Sequence, residues 1–594
     1  MTRRRAFPRP LFAAVSLLAC LTAASAQTTT DPILRAMRDE LNRSRGLQVL
    51  SLAPPYFIEY TIEDGDGFEI SASLGGLISV AHDRFRIPEI KVRVGDYKFD
   101  NTDYVGSGHH FAAPYDIERF PIEDSYPVIR RFLWLATDSA YKNAVQAISR
   151  KQAALKNVAV NQPLDDFTKA GPLTKISEIR RAVLDEDAWT ARIRALSAIF
   201  AGYPALRDSG VALSAIQTTH YYLNSEGTEV RVPDNLIYVL ARAEAQAPDG
   251  MVLHDAAIFH SLDFDHLPAE PELRRAITAM AADLTSRTGA PKGESYAGPV
   301  LFEGAAAAQL FAEILGANLA LARRPVSEPG HDGFFQASEL EGRQGARILP
   351  DWFDVVDDPT QKEWHGRPLL GSYEVDREGV VPQPMQLVEK GVLRNFLLTR
   401  QPMPGFAGSN GRARLPGSYG ANGAAISNLF VRATQTVTVS QLKQKLMEIC
   451  RQRNKPYGML VRRMDFPSSA SVAEMRRLLS NATESGGRPA SAPVLLYRVY
   501  PDGKEELVRG LRFGGLNARS LKDILAAGDD SNVLDFLNNQ APFALIGGAG
   551  YVAPSCTIAP SVLIDDLELH PLEEELPKLP IVPAPALSAQ AVHP

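Results

Sequence analysis

Cysteine is nearly missing from this chain: three in 594 residues, at positions 20, 450 and 556. A disulfide framework is thereby excluded as the basis of the fold. Cys450 and Cys556 have no Cys or His at ligand spacing, which favours buried or unpaired thiols over a disulfide or metal site. Long apolar runs are also absent; Leu11 to Leu21 is too short to cross a bilayer. Positive charge is in deficit, with 63 Lys+Arg against 69 Asp+Glu, and an acidic chain is a poor match for nucleic acid. No internal repeat is evident. What is present, 45% hydrophobic and 22% charged residues, is the composition of a folded globular protein. Its length exceeds one hydrophobic core, so two domains or more are expected.

Residues 1–26 read as an export signal. Arg3, Arg4, Arg5 and Arg9 form a basic start, the apolar run follows, and Ala24-Ser25-Ala26 is an A-x-A cleavage site. Removing four arginines and no acid moves the net charge from −6 to −10. A lipoprotein cysteine at Cys20 is the alternative, disfavoured by Leu18 and by the better site downstream. The mature chain is expected in the periplasm or outside the cell, with no transmembrane span.

The fold class expected is α+β, with an N-terminal α/β-type domain over 28–290 and a β-rich domain, sandwich or barrel-like, over 291–576. Asp31-Pro32 opens a helix whose Ile33, Leu34, Met37 and Leu41 form one stripe. Strands are expected over 56–62, 68–74 and 87–94, with a turn at Gly65-Asp66-Gly67. Helices are expected over 126–155, 188–200 and 270–286, and strands over 211–223 and 228–232 around Asn224-Ser225-Glu226-Gly227. Residues 236–260 continue as strands. In the second half one helix spans 305–321, short strands follow (386–389, 392–398), and helices are expected at 439–451 and 472–479. The Pro/Ala-rich tail, 577–594, is expected to be disordered.

The most informative absence is local. In the helix over 305–321, residues Ala312-Glu313-Ile314-Leu315-Gly316-Ala317 would read His-Glu-x-x-Gly-His if both alanines were histidine. Other segments keep the same company: Tyr222-Leu223-Asn224-Ser225-Glu226-Gly227, Gly298-Pro299-Val300-Leu301-Phe302, Val355-Val356-Asp357-Asp358, Gly371-Ser372-Tyr373-Glu374-Val375-Asp376-Arg377-Glu378-Gly379, Leu387 to Leu393, Gly408-Ser409-Asn410-Gly411-Arg412 and Ser427-Asn428. Together they resemble, in order, the TldD/PmbA family, also called modulators of DNA gyrase, most closely over 210–430. The resemblance implies an N-terminal α/β-type domain, a β-rich C-terminal domain, and two subunits around a cavity. It also implies a groove for a strand-like peptide, for which Asn410, Gly411, Arg412, Ser427 and Asn428 are candidates. In active members two histidines and a distant cysteine hold zinc, and the glutamate is the general base. Glu313 matches that glutamate; Ala312 and Ala317 occupy the ligand positions, and neither Cys450 nor Cys556 aligns clearly with the cysteine.

Alanine offers no lone pair to a cation. Catalytic zinc needs about three protein ligands and lowers the pKa of bound water from about 15.7 to about 7. A lone carboxylate contributes only ~10² to 10⁴-fold, far short of peptide hydrolysis. Positions i and i+5 point about 140° apart on an ideal helix, so the motif requires a bulge or termination near Gly316. The plain alternative for Glu313 is pairing with Arg323 or Arg324. A second metal candidate gathers His254, His260, Asp263, Asp265 and His266, but a straight strand would place His260 and His266 opposite Asp263 and Asp265. His109-His110 and His331-Asp332 read as exposed loop residues. Residues 417–423 lack the lysine of a phosphate loop, 547–550 suit a tight β-connection, and Ser555 and Ser561 lack a nucleophile elbow.

The expectation is therefore an exported, zinc-less relative acting as a non-catalytic subunit or peptide-binding partner in proteolysis. It would bind a peptide or protein, as a homodimer or as a heterodimer with an active family member, without cofactor. The alternatives are an active metallopeptidase whose ligand set involves Glu313 and the Cys556 region, and a free-standing scaffold. Segments 85–158 and 435–489 exceed the family's minimal form and carry no functional reading.

Overall fold

The structure, a computed structural model, describes residues 31–48, 53–105, 120–156, 164–327, 335, 337–416, 420–465, 490–538 and 553–572. The expected export signal, His109-His110, His331-Asp332, the helix expected at 472–479, the 547–550 connection and the tail lie outside the described residues. No described helix is long and apolar enough to cross a membrane.

Asp31 caps helix α1 (Pro32–Ser44): its carboxylate accepts the Ile33 and Leu34 amides, each at 3.0 Å. Two 19-residue strands follow, β1 (Pro55–Ser73) and β2 (Gly76–Val94). The turn expected at 65–67 is not there. Gly65 and Gly67 are paired inside β1, with Phe85 and Asp83 on one side and Thr218 and Ile216 on the other. A Cβ on Gly65 would lie 2.5 Å from Phe85 Cζ and 2.9 Å from Thr218 Oγ1, so glycine here permits close cross-strand packing. The chain reverses instead at Leu74-Gly75, both at positive φ.

Helices α2 (Tyr126–Leu155) and α3 (Glu186–Ser197) lead into β3 (Leu206–Asn224), β4 (Glu229–Gln246), β5 (Val252–Ser261) and helix α4 (Glu270–Thr288). The antiparallel order is β2-β1-β3-β4, with β5 also on β4 and a short parallel strand, Thr174–Ile176, at its edge. One face is apolar. Tyr60, Ile62, Tyr221 and Leu223 pack with residues of α1 and α2, while Phe68, Ile70, Val211 and Leu213 pack with residues of α3 and α4. Period-2 alternation sends Glu59, Glu63 and His220 to the opposite face, which meets the second half of the chain. Glu63 there is 3.1 Å from Arg377, and Lys91 donates to Asn422 at 2.8 Å.

Among the described residues the second half holds two large open sheets, besides two small two-stranded ones. One orders Val392–Leu393, Met385–Glu389, Phe353–Asp357, Asn428–Ala433, Ala553–Ala559 and Asn532–Asn538. The other orders Glu505–Val508, Pro493–Val499, Gly458–Met464, Tyr296–Phe302, Val562–Pro571 and Leu511–Gly514, with Ile524–Ala527 also on Val562–Pro571. One core takes Val355 and Leu429 from the first sheet, Val300, Val461 and Ile564 from the second, and Phe311 and Ile314 from the motif helix. That helix touches strands of both sheets. The molecule is thus α+β, a helix-covered antiparallel sheet followed by a β-rich half. Helix Val439–Gln452 begins with a Thr438–Gln441 capping box, and its Leu442 and Leu446 pack with Leu301, Leu460 and Leu563 of the second sheet.

Candidate functional site

Strand Tyr296–Phe302 feeds the motif helix through Gly304, whose φ of 67° suits glycine and whose amide donates to Ser561 Oγ at 3.0 Å. The helix is not uniform. Ala305–Leu310 is α-helical, Phe311–Gly316 is a π-helical turn, and Ala317–Leu319 completes it, two residues short of the expected end. The Ala317 amide donates to the Ala312 carbonyl, an i to i+5 bond. This turn removes the offset of an ideal helix and brings positions 312 and 317 onto one face. Gly316 packs closely: a Cβ there would stand 3.0 Å from Ile426 Cδ1, which would have to give by a few tenths of an ångström. The bulge that a two-ligand motif requires is thus retained, and the side chains on it are methyl groups. Zinc does not fit these residues.

Neither Arg323 nor Arg324 pairs with Glu313. Its carboxylate accepts Gln309 Nε2 at 2.8 Å, Ser491 Oγ at 2.7 Å and the Ser491 amide at 2.9 Å. Burial, with Asp465 nearby, pushes its pKa up against the pull of these three bonds. Arg323 instead joins Asp103 and Asp166, and Arg324 stacks on Phe335 at 4.8 Å. Gln309 and Ser491 escaped sequence reasoning. Gln309 sits one helical turn before the glutamate and was legible as a neighbour, whereas Ser491 lies 178 positions away and carries no local signal.

The proposed groove residues are built into the protein interior. Arg412, Ser427 and Asn428 are all 0% exposed. Arg412 Nε donates to Asp357 at 2.6 Å, and Asp357 also accepts the Ser427 amide and hydroxyl at 2.7 and 2.8 Å. Asn428 accepts the Gly371 amide at 3.0 Å, where a Cβ would lie 2.3 Å from the Ser427 carbonyl oxygen. Asn410 spans the Leu398 amide and Phe396 carbonyl, and the Gly411 carbonyl accepts Tyr373 Oη. These side chains are spent on bracing the strands.

The remaining resemblance segments join the two halves. Asn224 closes the β3–β4 turn by accepting the Glu226 and Thr228 amides at 3.0 and 3.1 Å, and Glu226 reaches Arg400. Asp376 accepts three backbone amides, and burial beside Glu378 pushes its carboxyl well above the usual carboxylate range. Glu378 takes the Arg400 amide at 2.6 Å.

The second metal candidate does not assemble. His254 Nε2 lies 2.9 Å from both Asp465 oxygens, and His266 pairs with Asp263 at 2.7 Å beyond the end of β5. The His260 ring lies 6.0 Å from that of Tyr238, tilted by 51°. Among the described residues no group of three or more His, Cys, Asp or Glu is placed to hold a metal ion. Cys450 and Cys556 are buried and free; burial raises both thiols, and the Asp535 carboxylate raises Cys556 further. Cys556 lies in a cluster with Leu369, Phe430 and Ile558, separate from the core that holds Phe311 and Ile314. Ser555 and Ser561 are 0% exposed, bonded to the Ile426 carbonyl and to Asp530 respectively. Asn422 of the 417–423 segment donates to Glu378 and accepts from Lys91.

Burial pushes the His260 imidazole down to about 4, so it is neutral in the fold at pH 7. The unfolded chain binds a proton there below about pH 6.5. Stability present above that pH is therefore lost as pH falls toward 4, by about 1–3 kcal/mol given partial exposure. Thermal melts at pH 7 and pH 4.5 are expected to differ less in His260→Gln than in wild type. An equal difference would contradict a buried neutral imidazole.

Comparison with known proteins places this geometry. Residues 295–453 match the model of the PmbA/TldA metallopeptidase C-terminal domain. A metalloprotease of Archaeoglobus fulgidus is 33% identical over 81 residues, 14% of this chain and 18% of that relative. The fold is shared with solved structures at low identity. TldE from Thermococcus kodakarensis is 12% identical, with 90% of this chain and 100% of that one covered at a TM-score of 0.52. A protein of Thermotoga maritima named as a modulator of DNA gyrase is 15% identical, with 86% and 96% covered at 0.51. Another so named, from Bacteroides thetaiotaomicron, is 12% identical, with 91% and 98% covered at 0.53.

Proposed function

Since this chain belongs to the TldD/PmbA family of metallopeptidase-related proteins, we propose that it is an exported member without a zinc centre, acting as a non-catalytic, peptide-binding subunit in proteolysis. One observation carries the reading: the π-helical turn survives while Ala312 and Ala317 stand on it. The turn has kept its shape and lost its donors. Glu313, the only motif side chain able to serve as a base, is engaged on Gln309 and Ser491. Partnership with a histidine-bearing family member would supply what this helix lacks, whereas a second copy of this chain would bring the same two alanines. Export rests on the basic start, short apolar run and A-x-A site of residues 1–26.

The test is peptide hydrolysis by the mature chain alone and by the chain co-expressed with a histidine-bearing relative. The chain alone is expected to show no turnover above a buffer blank, and Glu313→Gln no change. Turnover that disappears in Glu313→Gln would instead identify a working peptidase.

A further inference from the structure

Glu313 is the one residue of the altered motif with a reactive side chain, and both of its oxygens are taken. Oε1 accepts Gln309 Nε2 and Ser491 Oγ, while Oε2 accepts the Ser491 amide. Gln309 Nε2 also donates to the Asp465 carbonyl at 2.6 Å. The Asp465 amide donates to the Ala492 carbonyl at 2.7 Å, so residues 465 and 490–492 lie side by side against the motif helix. From there the contacts cross to the first half of the chain. His254 on β5 meets the Asp465 carboxylate at 2.9 Å, and Arg287 of α4 donates to the His254 carbonyl at 3.0 Å. Arg463 donates to Asp255 at 2.7 Å and to Asp283 at 3.0 Å.

We propose that Glu313 is a clasp: it holds residues 490–492 on the motif helix, so that the protein's own chain occupies the carboxylate and bars a ligand from it until the clasp opens. The chemistry is that of peptide recognition turned inward. A carboxylate that accepts a main-chain amide and an adjacent hydroxyl presents to Ser491 the same bonds it would offer a bound peptide. Through Gln309 and Asp465 the clasp also fixes His254, and with it the edge of the long sheet. Opening at Ser491 therefore loosens the contact between the two halves. This deepens the zinc-free reading and rests on it, because a carboxylate closed in this way cannot simultaneously serve as a base.

Amide hydrogen exchange on the full mature chain tests the clasp directly. Glu313→Gln replaces one acceptor oxygen with a donor that faces the Ser491 donors. Amides over 490–496 are expected to exchange about ten-fold faster or more, with a smaller rise around His254. Ser491→Ala keeps the amide bond and loses the hydroxyl, so a few-fold rise (about three-fold) is expected. Glu389→Gln, at an exposed strand end, should leave these amides unchanged. Exchange over 490–496 equal to wild type in both Glu313→Gln and Ser491→Ala would overturn the proposal. Should Glu313→Gln fail to fold, Ser491→Ala decides alone. The exchange reads the clasp and hydrolysis reads the proposed function, so failure of one is distinguishable from failure of the other.

Discussion

Asp357→Ala is expected to cost the second half of the chain about 3–5 kcal/mol. Asp357 is 0% exposed and ends the strand Phe353–Asp357. Its carboxylate accepts Arg412 Nε and both donors of Ser427, and Arg412 is itself 0% exposed. Truncation leaves a buried guanidinium without its counter-charge, held only by the carbonyls of Asn410, Gln383 and Asp357. It also strands the Ser427 amide and hydroxyl. Denaturant unfolding followed by a probe in the second half should show the midpoint fall. If Arg412 lined an open peptide groove instead, Asp357→Ala would weaken peptide binding with little change in the midpoint, and that outcome would reject the bracing role.

The second large effect is a gain. Ala312→His combined with Ala317→His is expected to bind zinc at least on the order of 100-fold more tightly than wild type, read by competition with a chromophoric chelator. The reason is the i to i+5 bond between residues 312 and 317, which keeps both positions on one face before any ligand is present. Each single variant should gain far less, because one imidazole cannot chelate. Ala312 is only 6% exposed, so the new ring must displace neighbours at a cost of about 1–3 kcal/mol. Thermal melting separates that cost from the affinity. A double variant no tighter than either single one would mean that the turn is not a preserved ligand platform.

What the sequence made legible was mostly local chemistry. Asp31-Pro32 announced α1 because the cap and the first-turn proline act within three residues. Asn224 to Gly227 announced the β3–β4 turn, and the ligand spacing of the motif this helix resembles called for a bulge or a termination near Gly316, where the π-helical turn Phe311–Gly316 lies. The failures are tertiary. Gly65 and Gly67 read as a turn because glycine tolerates one, yet here Gly65 is small so that Phe85 and Thr218 can close over it. β2 was recognised only from residue 87, since its first eight residues are exposed and show no alternation. Arg412, Ser427 and Asn428 looked available for a ligand because a sequence cannot show that Asp357 and Gly371 consume their bonds. Ser491 had no sequence signal at all, and the partner of Glu313 had to be found in space.

The central claim is that a helix shaped for a cation no longer holds one, and elemental analysis of the purified wild-type protein tests it most directly. After dialysis against a weak chelator the expected content is below about 0.1 zinc per chain, unchanged by Glu313→Gln. One tightly held transition metal per chain, lost on changing Glu313 or Cys556, would contradict it.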